Sequence, residues 1–305
     1  MTYRLPLVLS LILVAGCSTG DSPVSSGPID ENAPPDLLVK NAVENRASLS
    51  SLAGSGVMRI VDKPNRFGLT VNAAVLADES DRLRIRADKL AGAVQAFDVV
   101  KLGDDIGFYV PSQRTLYHGK VEDLRYFAFR FDPDEVLRQM LRPDTSLLIK
   151  KWRHAASRAG DSGESLVMEE DVPGNRPRLR LTLERRTGRI ASLVQLDSGG
   201  DPILVRSYGD YRGLDGGVGA GSRRKAGPVF PYLISFAWPR DNRLMEMRFR
   251  TVEGNAVVLD EDFDIAASAD TKYLPLSEAE MESESTESPV ALASPPLALA
   301  NLPSS

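Results

Sequence analysis

The sequence is poor in the residues that most often carry catalysis, metal binding or cross-links. It has one cysteine, Cys17, and two histidines, His118 and His154, in 305 residues. A single cysteine excludes an internal disulfide and a zinc site built on cysteines. The histidines fall in unrelated contexts, and no Gly-x-Ser-x-Gly nucleophile elbow is present. We therefore expect no enzyme activity, no cofactor and no bound metal.

The chain also lacks a net positive charge and has few long apolar runs. The formal net charge is -5, which opposes bulk attraction to nucleic acid, so no nucleic-acid partner is expected. The apolar run from Leu5 to Ala15 is shorter than the roughly 20 residues that a transmembrane helix needs. It follows Arg4 and ends in small residues, which is the layout of an export signal.

The one cysteine lies directly after this apolar run. The motif Val14-Ala15-Gly16-Cys17 resembles the bacterial lipobox, in which the cysteine is acylated and the chain is cut just before it. Ser18 follows, as in lipoproteins sent to the outer membrane of diderm bacteria. The alternative is an ordinary secretory signal with a chance cysteine. We predict a lipoprotein signal peptide over 1–16 and lipid attachment at Cys17, on an outer membrane and facing the periplasm.

Composition divides the rest of the chain into three parts. Residues 17–35 are rich in Ser, Pro, Gly and Asp, the composition of a flexible tether. Residues 274–305 combine an acidic run with a stretch rich in Pro, Ala and Leu, which predicts a disordered tail. The folded domain is therefore expected at 36–273.

Period-two alternation predicts that this domain is mainly β. In DRLRIRAD (81–88), three arginines alternate with Leu83, Ile85 and Ala87. One face of the strand is therefore expected to meet solvent, and the other, the dry face, is expected to be buried. Such a strand belongs to an antiparallel sheet that is covered on one side. Alternation and turn residues together predict strands at 54–62, 66–77, 81–88, 93–103, 105–111, 114–120, 164–172, 177–184, 189–197, 202–211, 229–239, 243–252 and 256–265.

Helical segments are few. An apolar period from Leu38 to Leu52 predicts a helix before the first strand, and FDPDEVLRQMLRP (131–143) predicts a second. The stretch 146–155 fits a short helix or a strand equally well. A sheet of about a dozen strands must curl or split, and something must cover its dry face. We expect a curled antiparallel sheet with two or three helices against its concave face and an apolar cavity between them.

This arrangement resembles the LolA/LolB family of lipoprotein carriers, whose open half-barrel has about eleven antiparallel strands lidded by helices. Three segments carry the resemblance: SGVMRI after a leading helix, RLRIRADKLAG (82–92), and the helix over 131–143. The segment 82–92 is similar to the family segment that ends in a turn with a protruding leucine. That places Leu90 at the position of the membrane-insertion residue. The alternative for Leu90 is an ordinary turn leucine tucked under the sheet rim.

The resemblance implies a lipoprotein that binds acyl chains or other lipoproteins and helps insert them in the outer membrane. A periplasmic LolA-like carrier is then a candidate partner. Apolar stripes on the last long strands would line the cavity, although such stripes are more often plain core. The second hypothesis is an anchored interaction or sensor module of the cell envelope with no carrier activity, which the Gly-rich loop 213–227 and the acidic tail favour. The predicted lining residues are Phe230, Tyr232, Ile234, Phe236, Trp238, Met245, Met247 and Phe249.

Overall fold

A computed structural model describes most of the predicted domain. The described residues are 33–46, 48–64, 66–89, 94–126, 133–142, 144–160, 163–173, 176–214 and 229–278. The predicted signal peptide, Cys17, Leu90 and nearly all of the loop 213–227 lie outside them, so what we predict for these segments stays a prediction. None of the helices in the described part is long and apolar enough to cross a membrane.

Two helices and fourteen strands make up the described structure. The helices are α1 (Pro35–Glu44) and α2 (Pro133–Leu141). The strands are β1 (Ser51–Asp62), β2 (Phe67–Asp78), β3 (Arg82–Lys89), β4 (Val94–Leu102), β5 (Asp105–Val110), β6 (Thr115–Lys120), β7 (Trp152–Gly160), β8 (Gly163–Glu170), β9 (Leu179–Glu184), β10 (Ile190–Leu196), β11 (Pro202–Gly213), β12 (Val229–Trp238), β13 (Arg243–Gly254) and β14 (Lys272–Pro275).

All the strands belong to one open sheet, in the order β14-β6-β5-β4-β3-β2-β1-β13-β12-β11-β10-β9-β8-β7. Every neighbouring pair is antiparallel except β14 and β6, which run parallel. The meanders β1–β6 and β7–β13 are joined in the middle of the sheet, where β1 pairs with β13. The strand order does not close on itself, so the predicted curled, open sheet with few helices is confirmed. The described residues hold fourteen strands rather than about eleven.

Alternation along the strands gives the sheet one continuous apolar face. In β3, Leu83, Ile85 and Ala87 are each at most 1% exposed, as predicted. The helix α2 packs against β1, β2 and β3, and α1 packs against β7. The apolar side chains of both helices join those of the strands in one core cluster. We call the apolar face of the sheet beneath α1 and α2 the covered face.

The first predicted helix is too long. The helix α1 ends at Glu44, and the prediction that it continues to Leu52 is wrong, because β1 begins at Ser51 and pairs with strands on both sides. Leu49 and Leu52 are nevertheless buried. Backbone pairing with two neighbours outweighs a chance helical spacing of apolar residues. The ambiguous stretch 146–155 combines the end of a 3-10 helix, Thr145–Ile149, with the start of β7.

The predicted strand over 256–265 is also wrong. Instead of joining the sheet, the segment lies against the outer side of β3, where it forms a 3-10 helix at Asp260–Phe263. Arg82 donates to the carboxylate of Asp260 at 2.5 Å, and its guanidinium lies 4.5 Å from the centre of the Phe263 ring. Arg84 donates to the backbone carbonyl of Asp262 at 2.7 Å. Side-chain contacts therefore hold this segment in place of a backbone ladder.

The chain then returns to the sheet at its β6 edge. Lys272–Pro275 forms β14, and Leu276 just beyond it is 1% exposed. The predicted domain boundary at 273 thus falls inside a strand, and packed structure continues to the last described residue, 278. This short parallel strand covers an edge that would otherwise offer unpaired backbone groups.

The turn between β10 and β11 is organised by the carboxylate of Asp197. One of its oxygens accepts hydrogen bonds from the backbone N–H groups of Gly199 and Asp201, at 2.8 Å and 2.9 Å. The other oxygen accepts one from Arg240, which lies in the turn between β12 and β13. The hydrogen bond from Arg240 is the largest cause that lowers the pKa of Asp197 to about 2, and the backbone bonds add to it.

We expect Arg240→Ala to raise the pKa of Asp197 towards its ordinary value near 4. Because the folded pKa is lowered, this carboxylate stabilises the fold above its unfolded pKa, and the contribution is lost as pH falls through about 2. Carbonyl-detected NMR titration of the aspartates measures the change, and Arg153→Ala, an exposed arginine elsewhere on the sheet, is the control. An unaltered pKa in Arg240→Ala would show that the backbone bonds alone set it.

Candidate functional site

The covered face holds all of the predicted lining residues. They lie on β12 and β13, which pair so that Ile234 faces Met247 and Phe236 faces Met245. The ring centres of Phe230 and Phe249 are 5.7 Å apart, and the edge of one ring points at the face of the other. The exposed fractions are 1% for Phe230, 8% for Tyr232, 0% for Ile234, 1% for Phe236, 3% for Met245, 1% for Met247 and 2% for Phe249.

This burial defines what the site can do in the described conformation. A side chain that exposes so little surface touches protein on nearly every side, so it borders no open space of the size of an acyl chain. A ligand would therefore reach these residues only if a helix moved away from the sheet. Trp238 differs, because it is half-buried at the end of β12. A small cleft opens beside it, between Ile60 and Leu244.

Two glycines of β1 shape the covered face below Phe249. A Cβ on Gly54 would lie 2.8 Å from the Phe249 ring. A Cβ on Gly56 would lie well inside contact distance of the Arg248 carbonyl oxygen and 2.7 Å from the Phe249 Cα. The register between β1 and β13 shifts between Ser55 and Gly56. Such an irregularity bends a sheet, and here it brings the two backbones close together.

The first turn of α2 is fixed to the sheet by ion pairs on two sides. Lys101 of β4 is 1% exposed, and its Nζ lies 2.7 Å from Asp81 and 3.0 Å from Asp134 at the start of α2. Burial lowers the pKa of Lys101, but hydrogen bonds to the two carboxylates raise it, and the resulting pKa lies above its ordinary value. On the other side, Glu135 pairs with Arg206 of β11.

A second buried polar group joins the end of α1 to α2 and β11. Arg46 donates to the side-chain oxygen of Gln139 at 3.3 Å and to its backbone carbonyl. Its guanidinium also lies 4.8 Å from the ring centre of Tyr208, and the Tyr208 hydroxyl donates to the same Gln139 oxygen. The amide of Gln139 in turn donates to Glu135 at 2.9 Å. Burial is the main cause that raises the pKa of Tyr208.

None of these polar residues is among the site residues predicted from the sequence, although the strand pattern contains a signal for two of them. Lys101 follows Phe97 and Val99 at strand spacing on the dry face, and Arg206 lies between Leu204 and Tyr208 on the same face of β11. A charge at a core-facing position needs a partner, because an unpaired buried charge is strongly unfavourable. The strand pattern therefore predicts that some element brings carboxylates to them, but not that α2 does.

No metal centre was expected from the sequence. Among the described residues, no group of three or more His, Cys, Asp or Glu side chains is arranged to hold a metal ion.

No family model matches the sequence, and no curated protein does. Solved structures with a similar fold include a DUF1329 family protein from Desulfovibrio piger, with a TM-score of 0.50 and 10% identity, covering 76% of this chain and 96% of that one. A domain named for outer membrane lipoprotein sorting from Vibrio parahaemolyticus has a TM-score of 0.47 and 9% identity, covering 75% and 96%. A LolA superfamily protein from Nitrosomonas europaea has a TM-score of 0.44 and 11% identity, covering 76% and 98%. At these identities the likeness is one of fold alone.

Proposed function

We propose that this chain is a lipoprotein of the cell envelope, acylated at Cys17, that binds acyl chains of lipids or of other lipoproteins against the covered face. Bound cargo is then inserted in the outer membrane with the help of the loop around Leu90. The observation that supports this proposal is the covered face itself. It is a broad apolar surface on an open sheet, and the helices over it are short, with 10 and 9 residues.

The energy of acyl transfer explains why such a surface is needed. Each methylene taken from water contributes roughly 0.8 kcal/mol, so about 40 methylenes of a triacylated lipoprotein resist leaving a membrane by something like 30 kcal/mol. A carrier must therefore offer an apolar surface of similar extent. Methionine side chains such as Met245 and Met247 suit this role, because they are flexible and adapt to ligands of variable shape.

The attachment of α2 is compatible with opening. Its first turn is held by the pairs of Asp134 with Lys101 and of Glu135 with Arg206. Charged groups can exchange such partners for water when a helix moves, whereas exposed apolar surface cannot. An acyl chain that replaces the buried side of α2 would cover the apolar surface that the helix leaves.

Native mass spectrometry tests acyl binding. The chain is exported with Cys17→Ser behind a secretory signal, so that it carries no lipid of its own, and is mixed with an acylated lipoprotein or with the same lipoprotein after its acyl chains are removed. We expect a complex with the acylated form only, and a rise in thermal stability that increases with ligand concentration. Equal binding of both forms would favour the interaction or sensor module. The tight packing of Phe236 and Ile234 is the observation that favours this alternative.

Leu90→Glu separates binding from delivery. If Leu90 enters the bilayer interface, a charged side chain there should leave acyl binding unchanged but lower the rate of transfer to membranes about tenfold or more, since a carboxylate is expensive to bury in lipid. Transfer of a labelled lipoprotein to vesicles gives the rate. Lys89→Gln, one residue earlier in the chain, is the control for the change in net charge, because it also makes the chain more negative by one unit. An unchanged transfer rate in Leu90→Glu would remove Leu90 from the mechanism.

A further inference from the structure

Three large apolar side chains are exposed beside the start of α1. Leu37 in its first turn is 45% exposed, and Leu148 and Ile149 at the end of the neighbouring 3-10 helix are 43% and 86% exposed. We call these three residues the entry patch. Isolated apolar residues on a surface are ordinary, but these three lie on two segments that pack against each other, and grouped apolar residues mark a contact surface more often than single ones do.

The entry patch stands on a fixed backbone. Leu147 is 1% exposed, and the indole nitrogen of Trp152 donates to its carbonyl at 3.0 Å. The backbone N–H of Trp152 donates to the carboxylate of Asp36 in the first turn of α1 at 2.9 Å. Ser146 donates to Asp144 at the start of the 3-10 helix. These bonds hold the two segments together, so the exposed leucines and isoleucine are presented by ordered structure.

The entry patch lies at the end of the predicted tether that joins the domain to Cys17. Leu37 is two residues beyond Pro35, the first residue of α1. Only 16 peptide bonds separate Cys17 from Ala33, so in any conformation they span at most about 55 Å. If Cys17 carries acyl chains, the start of α1 therefore stays within about 55 Å of the bilayer surface. A second contact there gains from the high effective concentration that such a link creates.

The charges around the patch point to an apolar contact. Lys150 lies 2.7 Å from Glu170, and Lys40 lies 3.8 Å from Glu44. Within the described part of the chain Lys151 has no ion-pair partner, so its ammonium group is free to meet a phosphate. Paired charges give little net attraction to a charged surface, and salt screens what remains. Burial of apolar side chains in the lipid interface therefore supplies the attraction.

We propose that the entry patch rests in the headgroup region of the phospholipid membrane that carries the lipid anchor. It holds the domain in one orientation, with the start of α1 towards the bilayer. This inference depends on the anchoring in the proposed function, but it concerns a surface distinct from both the covered face and Leu90. A second copy of the chain and its own residues 279–305 are the competing occupants.

Site-specific fluorescence in the full mature lipoprotein tests this contact. Ile149→Cys is labelled with an environment-sensitive nitrobenzoxadiazole dye, and the protein is reconstituted in vesicles of phosphatidylethanolamine and phosphatidylglycerol with or without nitroxide-labelled lipid. Labelling is selective because the sulfur of Cys17 is taken up by its lipid. Val257→Cys is the matched control: residue 257 is apolar and 89% exposed, in the segment after β13. We expect a blue shift and a loss of most of the emission to lipid quencher at 149, and neither at 257.

Each outcome decides the matter. Acylated protein that floats with the vesicles while the label at 149 stays as water-exposed as that at 257 overturns the inference and leaves the anchor intact. A label at 149 that is already shielded in the unlipidated Cys17→Ser form, in buffer with neither vesicles nor detergent, shows that a second copy or the tail occupies the patch, which also overturns it. A mature chain with no lipid on Cys17, shown by mass spectrometry and by double labelling, contradicts the proposed anchoring itself. Persistence of quenching in high salt supports the apolar nature of the contact.

Discussion

Replacing Gly56 by alanine should lower the free energy of unfolding by about 3 kcal/mol or more. The added methyl group would meet the backbone of Arg248 and Phe249 on β13, with its carbon 2.7 Å from the Phe249 Cα. A backbone cannot turn away as a flexible side chain can, so β1 and β13 would have to separate. Denaturant unfolding, followed by circular dichroism, measures the loss.

Gly68→Ala is the matched control for this substitution. Gly68 also lies in a strand, β2, but a Cβ added there meets nothing within 4 Å. We expect its stability to stay within about 0.5 kcal/mol of the natural protein or to rise slightly, because alanine restricts the unfolded chain. Equal stabilities for the two alanine variants would mean that the backbones of β1 and β13 do not approach each other closely at Gly56.

The Lys101 ion pairs should show a large and asymmetric response to substitution. The lysine is 1% exposed, whereas Asp81 and Asp134 are 55% and 45% exposed. Asp81→Asn with Asp134→Asn leaves a buried ammonium group without a counterion, which should destabilise the fold by about 3–5 kcal/mol at neutral pH. Lys101→Met removes the buried charge and lets both carboxylates turn to water, so it should cost about 1 kcal/mol or less.

Two further measurements check this explanation. Adding Lys101→Met to the double asparagine variant should restore most of the lost stability, because the unpaired charge is gone. In the double variant the pKa of Lys101 falls, so stability should rise as pH rises through that lowered value. In the natural protein the pKa of Lys101 is raised, so the stability that its ion pairs contribute is lost only when the pH rises through that raised value, in alkaline solution. If Lys101→Met is as unstable as the double variant, the packing of the lysine's aliphatic side chain contributes more to stability than the pairing of its charge.

The sequence predicted well the features that depend on local pattern. The strand predicted at 81–88 is found at Arg82–Lys89, and its buried and exposed faces are as expected. The helix predicted over 131–143 is found at Pro133–Leu141. In both cases neighbouring residues alone decide which face meets the core, so the spacing of apolar residues carries the information.

Long-range partners decide the features that the sequence did not predict. The segment 256–265 has the apolar content of a strand, but Arg82 and Arg84 of β3 bind its acidic residues on the outer side of the sheet. The register shift opposite Gly56 involves β13, which follows β1 only after eleven other strands. The buried Lys101 finds its partners in a turn and in a helix, and the pattern of β4 does not show that these are the elements that supply them. Contacts across such distances in sequence leave no periodic trace.

The pairing of β1 with β13 has a consequence for how the protein is made. Leu52 lies opposite Gly254, so nearly the whole domain must be synthesised before its first long strand can complete its pairing. The strands on either side of this junction are local hairpins, whereas the junction has the greatest separation along the chain, and contacts of that kind form slowly. Until then the unpaired backbone groups along β1 and β13 are open to wrong partners. The steps that follow synthesis thus determine whether the two halves pair, and the close approach of the backbones at Gly56 leaves no room there for a residue with a side chain.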